Sequence, residues 1–181
     1  MEIVNLDNLS NLTTIGSSAF AATTTQTLNG KTMKLKCSKL PDSLTSIGTS
    51  AFYNGGPNLV LTSLPPQIQE ILAFTFYNCT GLKITVFGSS NENEGLEKIH
   101  YSAFAMINNT QHLHSEILLQ NSIKELYTKD SIGFTASPFR GYAKTAILAK
   151  PATEYSVDAS TGLTPSCLGV EAIKQKGEQI V

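Results

Sequence analysis

The chain has 181 residues, of which 41% are hydrophobic and only 15% charged, and its formal net charge is -1. That length suits one domain with a sizeable core, and an isoelectric point near 6.3 argues against a broad electrostatic attraction to nucleic acid, which would need a basic face. No apolar run approaches the roughly 18 residues of a membrane helix, and Met1 to Asn5 begins no basic and apolar secretory signal.

Taken in order, residues 1 to 8 supply Ile3, Val4 and Leu6 as apolar cover for the first repeat unit. A repeated pattern then sets in. Ile15-Gly16-Ser17-Ser18-Ala19-Phe20 matches Ile47-Gly48-Thr49-Ser50-Ala51-Phe52 at five of six positions, with Ser for Thr at the sixth and with Leu12 and Leu44 each three residues before the Ile. Ile68 and Ile71 before Phe76, and Leu96 and Ile99 before Phe104, repeat the apolar pair, so the phenylalanines step by 32, 24 and 28 residues. Steps of that size mark stacked repeats, in which one unit's apolar wedge is buried only by its neighbours. Gly16 and Gly48 are expected to turn the chain at positive φ, and Ala before Phe leaves room for the next layer. Leu72 and His100 replace the Gly in later units, and Thr75 replaces the Ala.

Between these ends, Met33 to Cys37, Leu59 to Leu61, Leu82 to Val86 and Leu113 to Leu119 alternate with period two and read as strands with one face inward. Leu40-Pro41 and Leu64-Pro65 close two of them, because Pro cannot donate to a ladder. A short helical turn is expected near each Phe. Asn29-Gly30 before an alternating run predicts a hairpin, and the polar stretch Gly88 to Gly95 predicts an exposed loop. Beyond Leu126 the pattern fades: Ile132-Gly133-Phe134 and Ser137-Pro138-Phe139 compete for the next Phe position, and 117 to 150 reads as a degenerate last coil. Residues 151 to 181 read as a carboxy-terminal cap or docking tail, with one helical turn expected over Val170 to Ile173.

The run Leu40-Pro41-Asp42-Ser43-Leu44-Thr45-Ser46-Ile47-Gly48, followed by Ala51-Phe52-Tyr53 and by Asn78-Cys79-Thr80-Gly81-Leu82 a unit later, resembles the BspA-type leucine-rich repeat over residues 9 to 127. The resemblance implies a curved right-handed solenoid, β-rich with short helical turns, of four to five coils over residues 1 to 150. It also implies adhesion or recognition, as in bacterial and protist surface proteins and phage proteins.

Few residues carry chemistry. His112, His114 and Glu116 alternate and would project from one strand face as a metal trio, but Leu113 and Ile117 fit the inward ladder, no fourth ligand lies near, and no metal or cofactor is expected. Lys34 and Lys36 share an outward face that could meet an anionic group. Tyr53, Tyr77 and Tyr101 follow or precede the repeat phenylalanines and offer binding anchors with little entropic cost. Three cysteines cannot all pair within one chain. No nucleophile with its base, paired carboxylates or phosphate loop occurs, so the chain is read as no enzyme. Two functions remain open: a recognition or adhesion module for a protein or glycan on a host or cell surface, and a component of a larger assembly, such as a phage virion, that docks on neighbouring subunits through its termini.

Overall fold

The computed structural model describes residues 2–4, 6–21, 26–28, 31–35, 37–107 and 111–178, and for 2–4, 26–28 and 31–34 the backbone alone. The chain winds as a β-solenoid of about five turns with almost no helix. Each turn passes three faces.

The short-strand face carries six two-residue rungs: β2 (Thr14–Ile15), β5 (Ser46–Ile47), β6 (Glu70–Ile71), β8 (Lys98–Ile99), β10 (Glu125–Leu126) and β12 (Ser156–Val157). Their second residues recur at steps of 32, 24, 28, 27 and 31, and Ile15, Ile47, Ile71, Ile99 and Leu126 are buried. Pairing is parallel, β2 with β5 and then β6-β8-β10-β12. Among the described residues no backbone hydrogen bond joins β5 to β6, so this ladder is interrupted between the second and third coils.

The long-strand face begins with β1 (Glu2–Val4), which pairs in parallel with β4 (Lys31–Leu35). β3 (Gln26–Leu28) pairs antiparallel with β4 and brings Leu28 opposite Lys31, the partners that the Asn29-Gly30 hairpin requires; 29 and 30 themselves lie outside the described residues. A single bridge from Cys37 to Leu59 stands where the alternation of 59 to 61 predicts a strand. The face continues through β7 (Val86–Phe87), β9 (His114–Leu119), β11 (Ala143–Leu148) and β13 (Ala172–Gln175), all parallel. Residues 151 to 181 thus contribute β12 and β13, one rung to each ladder. Asp7 and Asp158 tie adjacent coils in the same way. Each carboxylate accepts two backbone N–H groups and one hydroxyl, from Ser38 and Lys39 for Asp7 and from Thr128 and Lys129 for Asp158.

The turn face holds the phenylalanines. Phe20, Phe52, Phe76, Phe104 and Phe139 stack ring on ring at 5.4–5.6 Å with interplanar angles of 3–14°. Their backbones keep the same order: the N–H of Phe20, Phe52, Phe76, Phe104 and Phe139 donates to the C=O of Ala51, Thr75, Ala103, Pro138 and Leu168. Phe139, not Phe134, takes the contested place; Phe139 is fully buried whereas Phe134 is 68% exposed. Phe87 enters the column edge-on from the long-strand face, and the buried Tyr142 hydroxyl donates to Ile84 O at 2.7 Å.

Two expectations fail here. Gly16 and Gly48 do not have positive φ; the left-handed position lies two residues further on, at Ser18, Ser50, Phe74 and Ser102, with φ of 52–58°. Gly48 is small for another reason, since a Cβ there would lie 2.4 Å from Ser17 N in the coil below, while at Gly16 it would meet nothing. The helical turn of the tail is α1 (Pro165–Leu168), upstream of Val170 to Ile173. Thr164 caps it by accepting from Cys167 N–H, Pro165 pre-sets its first turn, and left-handed Gly169 ends it against the Arg140 backbone. The chain is then free to extend into β13.

Gly48→Ala is expected to lower stability by about 1–3 kcal/mol through overpacking, and Gly16→Ala to stay within about 0.5 kcal/mol of the parent, both read from urea unfolding midpoints. A second expectation concerns alkali. Burial pushes the Cys79 thiol up from 9.0 to about 12 and the Cys37 thiol up to about 11, and burial raises the Tyr142 hydroxyl as well. The unfolded thiols release protons near pH 9 while the folded ones retain them, so stability is full below that pH and falls as pH rises toward 12. Each fully retained proton contributes a slope of about 1.4 kcal/mol per pH unit, and Cys79→Ala should flatten the profile of midpoint against pH between 9 and 11.

Candidate functional site

On the turn face one left-handed residue recurs in each of the first four coils. Residues one past each spine phenylalanine form the column Ala21, Tyr53, Tyr77, Ala105, Arg140. The Tyr53 and Tyr77 rings stack at 4.9 Å and 7°. Phe74, itself at φ 57°, stands in the column where the other coils carry Ser18, Ser50 and Ser102. Its ring lies edge-on to Tyr53 at 6.2 Å, to Tyr77 at 5.6 Å and to Tyr101 at 5.6 Å and 87°. Each such contact is worth about 0.5–1.5 kcal/mol beyond area burial. The structure therefore joins the three tyrosines through a residue that spacing alone passes over; the signal was a large ring in a serine column.

Beside the rings, Asn54 and Asn78 adopt φ of 58° and 55°, and Asn78 Nδ2 donates to Asn54 Oδ1 at 3.0 Å. All six side chains are half-buried. The chain has six tyrosines. Tyr127, Tyr142 and Tyr155 direct their hydroxyls to Glu125 Oε2, Ile84 O and Leu119 O at 2.5, 2.7 and 3.0 Å. Among the described residues the hydroxyls of Tyr53, Tyr77 and Tyr101 have no hydrogen-bond partner, and these three share one patch. Such a surface presents apolar ring area rimmed by uncommitted hydroxyl and amide groups.

The other sequence candidates fall elsewhere. Lys34 lies on β4 with only its backbone described, and Lys36 lies outside the described residues. His112, His114 and Glu116 do not converge. His114 Nε2 meets Leu82 O at 3.0 Å while its ring packs 4.9 Å from Tyr142, His112 Nδ1 faces Glu171 at 3.8 Å, and Glu116 faces Lys174 at 3.7 Å. Burial lowers the pKa of His114. Among the described residues no group of three His, Cys, Asp or Glu could hold a metal ion.

Two further clusters stand out. On the short-strand face, Glu70 meets His100 at 2.6 Å, the His100 ring stacks 4.3 Å from Tyr127, and Glu125 accepts from both Tyr127 and Lys98. The Tyr127 hydrogen bond, then Lys98, hold the Glu125 carboxyl below its ordinary range. These groups satisfy one another across coils and act as braces. The second cluster is the hairpin closed by the Lys129–Thr135 bridge. Asp130 N–H donates to Phe134 O at 2.9 Å, and Asp130 Oδ1 accepts from the N–H of Ile132 at 3.1 Å and of Phe134 at 2.8 Å. The pinned loop holds Ile132 and Phe134 77% and 68% exposed.

The family model of the BspA type leucine rich repeat region matches the chain over residues 1–129, in six copies. No curated protein and no solved structure matches it.

Proposed function

Because the chain belongs to the BspA-type leucine-rich repeat family, we propose that it is a non-enzymatic recognition and adhesion module whose turn face binds a protein or glycan on a host or cell surface. The solenoid of this family is generally a binding scaffold, and no helix of the described residues is long and apolar enough to cross a membrane. The observation that carries the reading is the Tyr53–Phe74–Tyr77–Tyr101 patch with its three uncommitted hydroxyls. Aromatic residues with polar tips are favoured binding anchors because they bring contact area at little conformational cost. The scaffold fixes the rings in advance, so little ordering remains to be done on binding.

A second reading, a component of a larger assembly such as a virion, is favoured by the Asp130 hairpin. Its backbone donors at 130, 132, 133 and 134 are satisfied within the loop, which suits a tip that enters a dry pocket on a neighbouring subunit.

The readings differ in which variant loses function. Adhesion to cell surfaces coated on a biosensor is expected to fall at least tenfold in Tyr53→Ala/Tyr77→Ala and to be unchanged in Ile132→Ser/Phe134→Ser, with unfolding midpoints measured alongside. The converse pattern, with loss of co-assembly in the hairpin variant, would overturn the first reading in favour of the second.

A further inference from the structure

We infer that the ligand of the turn-face patch is an uncharged glycan chain, laid across the second to fourth coils along the solenoid axis. The inference rests on the recognition reading and deepens it. Four observations lead to it.

The first is size. A stable protein interface takes about 800 Å² per partner, from roughly 20–30 residues. This patch has six residues, each already half-buried in its own coil. It suits a narrow ligand better than a second globular surface.

Charge is the second. Tyr53, Asn54, Phe74, Tyr77, Asn78 and Tyr101 include no cation and no carboxylate. A phosphate, sulfate or uronate would find no counter-charge there, whereas a neutral polyol needs none.

The third is the pattern of donors and acceptors. The single bond from Asn78 Nδ2 to Asn54 Oδ1 leaves the Asn54 amide NH₂ and the Asn78 Oδ1 without partners among the described residues. Three phenolic hydroxyls stand beside them, each able to donate and accept. Sugar hydroxyls, which also do both, can meet every one of these groups. The apolar C–H groups of a pyranose, in turn, can pack on the apolar ring area that lies between these hydroxyls.

Periodicity is the fourth. Tyr53 and Tyr77 recur 4.9 Å apart, and Asn54 and Asn78 recur with them. A ligand whose own units repeat along a line presents the same groups at each step and can lie in register with successive coils.

The test uses the full chain on immobilised neutral polysaccharides, namely mannan, β-glucan, xylan and chitin oligomers, with heparin and alginate as acidic comparisons. Wild type is expected to bind at least one neutral glycan, with competition by the matching free oligosaccharide. Tyr77→Ala should weaken that binding at least tenfold, and Tyr53→Phe/Tyr77→Phe/Tyr101→Phe, which keeps the rings and removes the hydroxyls, at least threefold. Tyr127→Phe, outside the patch, should bind as wild type. Because the chain lacks Trp, tyrosine emission reports saturation directly. Binding only to the acidic polysaccharides, or to no glycan, overturns the inference. If a glycosidase-treated cell surface still binds wild type and not Tyr77→Ala, the glycan is wrong while the recognition patch stands. Equal cell-surface binding by both proteins removes the patch itself.

Discussion

The stacked phenylalanine column is the constraint on which the other features depend. Backbone ladders place successive coils about 4.8 Å apart, and rings can keep that spacing only if they lie nearly parallel and slightly offset, as the 5.4–5.6 Å centroid separations show. Each interior ring is covered on both faces by its neighbours and is fully buried, while Phe20, at the start, is only partly covered. A fully buried Phe contributes about 2–3 kcal/mol by area transfer, and that gain exists only between coils. No coil is stable by itself, which is the physical content of a repeat protein.

Holding the rings in line fixes the backbone around them, and the remaining positions are then free to vary by column. One column carries Ser18, Ser50, Phe74 and Ser102 at the same left-handed backbone. Another carries Ala21, Tyr53, Tyr77, Ala105 and Arg140. Substitution within a column changes the surface without changing the winding. The aromatic patch is a local departure in two adjacent columns, and the Asp130 hairpin is a longer excursion inserted between two column positions. Both leave the spine intact.

The parts of the fold legible in the sequence are those that rest on large apolar side chains at fixed spacing. Phe20, Phe52, Phe76 and Phe104, with Ile15, Ile47, Ile71 and Ile99, mark the spine and the short-strand face directly. The parts that were not legible rest on backbone geometry or on smaller residues. Positive φ falls on serines, which look like polar filler, and glycine at 48 reflects a close approach between coils that no local pattern records. After Leu126 the interior is filled by Tyr142, Ala143, Ala146, Tyr155 and Leu168, residues that break the aliphatic pair and hide the continued ladders. In the candidate patch the tyrosines were visible individually; the groups that join them, Phe74 and the side-chain bond between asparagines, required the coils to be stacked.

The interruption of the short-strand ladder between Ile47 and Ile71 gives the rod a preferred place to bend. At that level the second and third coils are held on the long-strand face by the Cys37–Leu59 bridge and on the turn face by Ser50, Phe52 and Asn54, and the remaining side can open like the covers of a book. Tension applied across the rod would therefore concentrate at one hinge line instead of spreading over every coil. Tyr53 and Tyr77 lie on the held turn face, beside the Asn54 N–H bond to Tyr77 O, so the aromatic patch keeps its spacing while the opposite side opens.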